Sequence, residues 1–213
     1  MSADDLETRL ARSARASFDS VTLRAGLARR AGDAGILDVA YAPMDSPLGE
    51  LTVFVTRRGL VRLSYPGEPI ESQLQQLADR ISPRILAAPE RTDGVRRQLD
   101  EYFAARRRSF EVPIDWRLVA GFAGDVLRAT ARVPYGGLST YREVAVAAGS
   151  PRAYRAAGNA LGANPMPIVV PCHRVVHSGG GLGGYTGGLA RKEFLLQLEG
   201  ARSGRLGAIP ALD

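Results

Sequence analysis

Hydrophobic and polar positions alternate from about residue 37, and the alternation predicts strands. Val39, Tyr41 and Pro43 fall on one face of a first strand. Leu51, Val53 and Val55 alternate, and the apolar stretch 60–63 follows after Arg57-Arg58-Gly59. Period and turn residues together read as a hairpin, and Ser46-Pro47-Leu48-Gly49 marks the turn before it. The spacing then becomes helical. Residues 73–80 and 92–104 read as helices, with Leu99, Tyr102 and Phe103 on the apolar side of the second. Residues 110–114 read as another strand. Mixed strands and helices make 36–118 an α+β domain. No carboxylate cluster in it requires catalysis, so its expected role is support.

From about residue 119 the pattern is mainly helical. A helix over 122–133 is ended by Pro134-Tyr135-Gly136-Gly137. Ser139 can cap the next helix, 140–148, which Gly149 ends. Ser150 can cap a third, from about 151 to 161, with Pro151 in its first turn. Two short helices joined by a tight glycine-containing turn suggest a helix-turn-helix. The third helix is rich in small residues: Ala153, Ala156, Ala157, Gly158 and Ala160. Small residues let it lie close to another surface, and spacing alone favours a surface inside the protein. A final helix spans 189–199, with Gly200 as its stop. Residues 1–35 read as a weakly helical or partly disordered extension and 201–213 as a patternless tail.

Charge changes this picture in one respect. The chain of 213 residues has a net charge of +6. From residue 120 onward ten basic residues stand against five acidic ones, so +5 of the excess lies in the helical half. A polyanionic partner fits that distribution, and so does a solvated basic surface. No apolar stretch is long enough to span a bilayer, and the start does not resemble a signal peptide. The expectation is a cytoplasmic monomer with no membrane partner, no metal and no cofactor. A single cysteine excludes an internal disulfide and a multi-cysteine zinc site, and suits a reducing compartment.

That cysteine is the centre of the candidate chemistry. Cys172 follows the apolar run Ile168-Val169-Val170 and Pro171, and His173 and Arg174 come directly after it. A short buried strand or extended segment would deliver the thiol to a turn. A glycine-rich loop, 178–188, follows. It lacks the G-K-[ST] ending of a phosphate loop. A thiol between a rigid wall and a flexible loop suggests a nucleophile, whereas a buried cysteine alone is equally a small hydrophobe.

The flanking residues carry more. Asn164-Pro165, Pro171-Cys172-His173-Arg174-Val175, Gly184-Tyr185-Thr186-Gly187-Gly188 and Glu199, in this order, resemble the O6-alkylguanine-DNA alkyltransferases. The resemblance covers roughly residues 39–200. It implies an RNase-H-like first domain at 36–118 and a helix-turn-helix alkyltransferase domain at 119–200. It also implies direct-reversal repair. Cys172 takes the alkyl group from O6-alkylguanine, or from O4-alkylthymine, in duplex DNA, and each molecule acts once because a thioether has no easy hydrolytic exit.

By the same resemblance, His173 takes the thiol proton directly or through water, and Glu199 orients His173. Tyr141 helps rotate the nucleotide and donates a proton to guanine N3. Asn164 fixes the turn before the thiol. Pro167 and Tyr185 wall the base, and the backbone of Cys172 and Val175, with Thr186, reads its edges. Arg155 replaces the lifted base in the stack, on a helix (Ala156, Ala157, Gly158) that enters the minor groove, with Arg174 also assigned to DNA. His177, outside the motif, is a rival base of surface or structural character. The family's Phe-Gln…Val-Trp pattern is here Phe122-Ala123…Val126-Leu127, and altered packing is the expected result. Two other functions compete: a damage-binding protein of the same fold without transfer activity, and a thiol hydrolase unrelated to DNA. The presence of Cys172 disfavours the first and the basic second half disfavours the second.

Overall fold

In the computed structural model, which describes residues 26, 27, 30–32 and 34–201, the alternating segments form a four-stranded sheet in the order β3-β2-β1-β4. β1 (Val39–Met44), β2 (Leu51–Thr56) and β3 (Gly59–Ser64) form an antiparallel meander. β4 (Ile85–Ala87) lies parallel to β1 at the edge. The period of two divides the side chains between two faces. Ala40, Met44, Leu51, Val53 and Val55 join the main core. Val39, Phe54 and Val61 form a smaller cluster with Leu77 and Leu118. On that second face Tyr41 stacks on Phe54, its cross-strand partner.

The strand expected at 110–114 does not form. That segment makes a single bridge, Leu60 to Ile114, because Pro113 has no N–H with which to extend a ladder. It runs against the start of β3 instead: Leu60 N–H donates to Pro113 O at 2.8 Å and Asp115 N–H to Leu60 O at 2.8 Å. A Cβ on Gly59 would lie 2.0 Å from the Pro113 carbonyl oxygen, so only glycine permits this approach. β4 supplies the remaining strand. Its three residues are too short to show alternation in the sequence.

Helix α1 (Ile70–Arg80) covers the smaller cluster through Leu77. Helix α2 (Pro89–Phe103) buries Val95, Leu99 and Tyr102, spaced by four and three residues along one stripe. It starts three residues earlier than the sequence pattern suggested, because Pro89 occupies the first turn.

In the second half, α3 (Gly121–Ala131) buries Val126 and Leu127 completely. Helix α4 (Tyr141–Ala147) is capped by Thr140, not Ser139. The Thr140 hydroxyl accepts from Glu143 N–H at 3.1 Å, and Glu143 reaches back to Thr140 N–H at 2.7 Å. Helix α5 (Tyr154–Gly162) starts later than expected and has no side-chain cap. Ser150 accepts a bond from Ala153 N–H on its carbonyl, so the chain closes a turn there before the helix begins. Helix α6 (Leu189–Leu198) ends at Glu199, with Gly200 at φ 64° as the left-handed stop.

Two-residue strands β5 (Ser139–Thr140) and β6 (Val175–Val176) pair in parallel. This short ladder seats the segment after Cys172 beside the first turn of α4. The fold is α+β. Among the described residues no helix is long and apolar enough to cross a membrane. The expectations for 1–25 and 202–213 lie outside the described residues. Ala31, at the end of the extension, is buried in the main core.

Candidate active site

The run before Cys172 is not a strand. Residues 165–170 fold as turns, with Ile168 at φ 72°. A β-branched residue in the left-handed region is strained, and Asn164 holds the segment in place. Its Oδ1 accepts from Met166 N–H at 3.0 Å, and its Nδ2 donates to Val170 O at 2.8 Å. The same Nδ2 lies 3.1 Å from Cys172 Sγ. One amide thus fixes the turn and donates to the sulfur, which the expected hinge role leaves out. Cys172 opens a single 3₁₀ turn, Cys172–Arg174, and is 6% exposed. Burial pushes its thiol pKa up. The Asn164 bond and the positive charge of Lys192 act against that rise.

Glu199 collects the buried polar groups behind the thiol. Its Oε1 accepts from Tyr102 Oη at 2.7 Å, from His173 Nε2 at 2.9 Å and from Arg174 Nη2 at 2.9 Å. Its Oε2 accepts from Arg174 Nε at 2.8 Å and Gly136 N–H at 3.2 Å. Burial disfavours the carboxylate, but the His173 and Arg174 bonds outweigh it and hold the carboxyl well below its usual range. Burial also lowers the His173 pKa, against the opposing pull of Glu199. A neutral imidazole that donates from Nε2 keeps an unprotonated Nδ1. That Nδ1 has no hydrogen-bond partner among the described residues. No hydrogen bond among the described residues joins His173 to the Cys172 thiol.

Two assigned residues move out of the DNA-facing set. Arg174 is buried; besides Glu199, its Nη1 donates to Val133 O at 2.5 Å. Its charge is spent inside the protein. Ala157 is fully buried in α5 packing, whereas Ala156 and Arg155 are exposed. Val175 is fully buried; its N–H bonds Cys172 O, and its carbonyl accepts from Lys192 Nζ at 2.6 Å, which leaves that oxygen a second lone pair.

Two cavities meet Cys172. One, of about 570 Å³, is lined by Tyr141 and Arg142 of α4, by Tyr154, Arg155 and Gly158 of α5, and by Tyr185 and Thr186. The other, of about 490 Å³, is lined by Asn164, Pro167, Tyr185 and Thr186 together with Tyr65 and Arg62 of the first domain. Pro167 therefore faces the second cavity, with Tyr185 shared between the two. Tyr141 is half-buried and its ring lies 5.1 Å from that of His177, which is exposed on the same cavity. Burial, then the nearby Cys172 sulfur, raise the Tyr141 pKa, so the phenol keeps its proton. A Cβ on Gly183 would lie 2.4 Å from the Tyr141 hydroxyl, so the loop needs glycine there. The Thr186 hydroxyl donates to Gly162 O and closes the loop onto α5.

Three contributors were not foreseen. Tyr102 reaches Glu199 from the first domain. Tyr65, also of the first domain, lies 2.6 Å, hydroxyl to hydroxyl, from Tyr185. Lys192 is fully buried on α6, and burial brings its pKa down to about 8. Its Nζ ties Val175 O to Leu182 O. Lys192 is the only lysine in the chain, but between Arg191 and Glu193 it reads in the sequence as an exposed charge.

Residues 121–201 match the DNA-binding domain of 6-O-methylguanine DNA methyltransferase, and 39–116 match its ribonuclease-like domain. The chain belongs to this family. A methylated-DNA–protein-cysteine methyltransferase of Methanosarcina barkeri is 37% identical over 159 residues, 75% of this chain and 96% of that protein. One from Mycolicibacterium paratuberculosis is 39% identical over 161 residues, 76% and 92%. The crystal structure of the Mycobacterium tuberculosis O6-methylguanine methyltransferase superposes with a TM-score of 0.65 at 36% identity, covering 80% of this chain and 96% of that one. A structure of the Mycobacterium tuberculosis OGT in complex with DNA superposes at 0.63 and 35% identity, covering 79% and 96%. The RNase-H-like reading of the first domain agrees with the family match.

Proposed function

We propose that this protein repairs DNA by direct reversal, transferring one alkyl group from O6-alkylguanine to Cys172 and then stopping. The observation that carries this reading is a buried thiol on a cavity lined by both helices of the helix-turn-helix, backed by the His173–Glu199 pair. His173 takes the thiol proton at Nδ1, through water. The sulfur attacks the alkyl carbon and the C–O bond breaks, its electron pair leaving on O6. Tyr141, protonated and on the cavity, supplies a proton to the guanine base as it leaves. The product is a thioether on Cys172.

The substrate is double-stranded DNA, approached from the minor groove by α5. The guanine leaves the stack to reach the cavity, at a cost of a few kcal/mol that is lower for a damaged pair. Arg155, exposed on the DNA-facing side of α5, takes its place in the stack. The protein acts as a monomer, in the cytoplasm, where its lone thiol stays reduced.

Intact mass after incubation with an O6-methylguanine duplex tests this. The expected result is one methyl per molecule, located on Cys172, and no transfer by Cys172→Ser, which still binds DNA. Repeated turnover, or a methyl on another residue, would refute it.

A further inference from the structure

Helix α5 presents a stripe to the larger cavity. Tyr154, Gly158 and Leu161 are spaced by four and three residues, and all three line it. Tyr154 is the aromatic of that stripe and is 40% exposed. Its ring is not needed to hold α5, which is anchored by Ala157, Ala160 and Leu161 in the main core. The guanidinium groups of Arg142 and Arg155 lie 5.9 and 5.8 Å from the ring centroid. That is the outer limit of cation–π attraction, and both arginines are exposed. Each can turn away at little cost and leave the ring open, Arg142 to a phosphate and Arg155 into the stack. An accessible aromatic face flanked by arginines has the make-up of a platform for unstacked nucleotides, which combines base stacking with attraction for the backbone.

We infer that Tyr154 is a stacking residue for the extruded nucleobase on its way into the cavity. The inference rests on the DNA-repair reading above and gives Tyr154 a task different from that of its neighbour. Arg155 fills the place the base leaves; Tyr154 stabilises the base outside the duplex, with Arg142 beside it to hold a phosphate.

The test uses the full-length protein under single-turnover conditions, with saturating O6-methylguanine duplex and, separately, free O6-benzylguanine. Tyr154→Phe keeps the ring and should stay within about threefold of the native duplex rate, while Tyr154→Ala and Tyr154→Leu should each lose about tenfold, the order set by base–aromatic stacking. All three should leave the free-base rate within about twofold, since a free base needs no extrusion. A phenylalanine variant as slow as alanine would assign the effect to the hydroxyl. A leucine variant as fast as tyrosine would assign it to apolar packing. An equal loss on the free base would assign it to the fold. Any of these overturns the inference, as does an unchanged alanine variant. A native protein that transfers from neither substrate overturns the repair reading itself, and this inference with it.

Discussion

Behind Cys172, Glu199 has both carboxylate oxygens occupied by buried donors, and it borders neither of the cavities that meet the thiol. In front of it, the face formed by α4 and α5 leaves Arg142, Tyr154 and Arg155 exposed, with only weak contacts between ring and guanidinium. The first region is arranged before any substrate arrives. Its low local dielectric strengthens each bond and makes each loss costly. The second is left open for a large, flexible, polyanionic partner whose contacts replace those made to water. On the proposed repair reading, the difference separates two tasks. Chemistry at the sulfur depends on the buried side and should be indifferent to how the base was delivered. Delivery depends on the exposed side and should be indifferent to the sulfur.

The largest expected effect comes from breaking the buried side at its centre. Glu199→Gln leaves the Arg174 charge buried without its carboxylate, a loss of about 3–5 kcal/mol of stability by analogy with broken buried pairs. Chemical denaturation checks this. The carboxyl pKa is lower folded than unfolded, so its stabilisation is fully present above the unfolded value. That stabilisation fades as pH falls below about 4 and through the folded value. The variant should lose that part of the acid dependence.

His173→Ala comes next. Loss of a positioned base should slow transfer by about a hundredfold or more on duplex and free base alike, measured in single-turnover reactions. Burial holds His173 neutral in the fold. The unfolded chain therefore binds the extra proton below about pH 6.5, and stability should fall as pH drops through that value. The variant should not show that part of the fall.

Tyr102→Phe is a milder break that originates in the first domain. It removes one donor to Glu199 and should cost about 1–3 kcal/mol, read in denaturant midpoints, with equal modest slowing on both substrates. The smallest effect should come from deleting residues 1–25, which carry no visible chemistry. The free-base rate should remain near native. Deletion through Gly32 should also lower stability, because it removes Ala31 from the main core.

The sequence made much of this legible, and unevenly. Ordered motifs around Cys172 identified the sulfur, its histidine and Glu199 across a separation no local pattern explains. The alternation at 39–63 gave the meander, because one period governs it. The errors share a cause. Pro113 and the turns at 165–170 look apolar enough for strands, yet a missing N–H in one and an asparagine-held turn in the other decide otherwise. Arg174 reads as a surface cation until the partner 25 residues away is placed against it. Tyr102, Tyr65 and Lys192 join the site only by tertiary contact, so no spacing announces them. Ala157 and Tyr154 lie three residues apart on one short helix, and only packing tells the inward position from the outward one.

The separation of the two sides is tested most directly by one crossed measurement. Glu199→Gln and Arg155→Ala are each assayed in single turnover, on free O6-benzylguanine and on saturating O6-methylguanine duplex. The expected result is that Glu199→Gln slows both reactions by the same factor, while Arg155→Ala slows the duplex reaction and leaves the free-base rate within about twofold. If saturating duplex restores the full rate to Arg155→Ala, that residue is a phosphate contact. If Arg155→Ala slows the free base as much as the duplex, or Glu199→Gln slows only the duplex, chemistry and delivery are not divided between the two sides of Cys172.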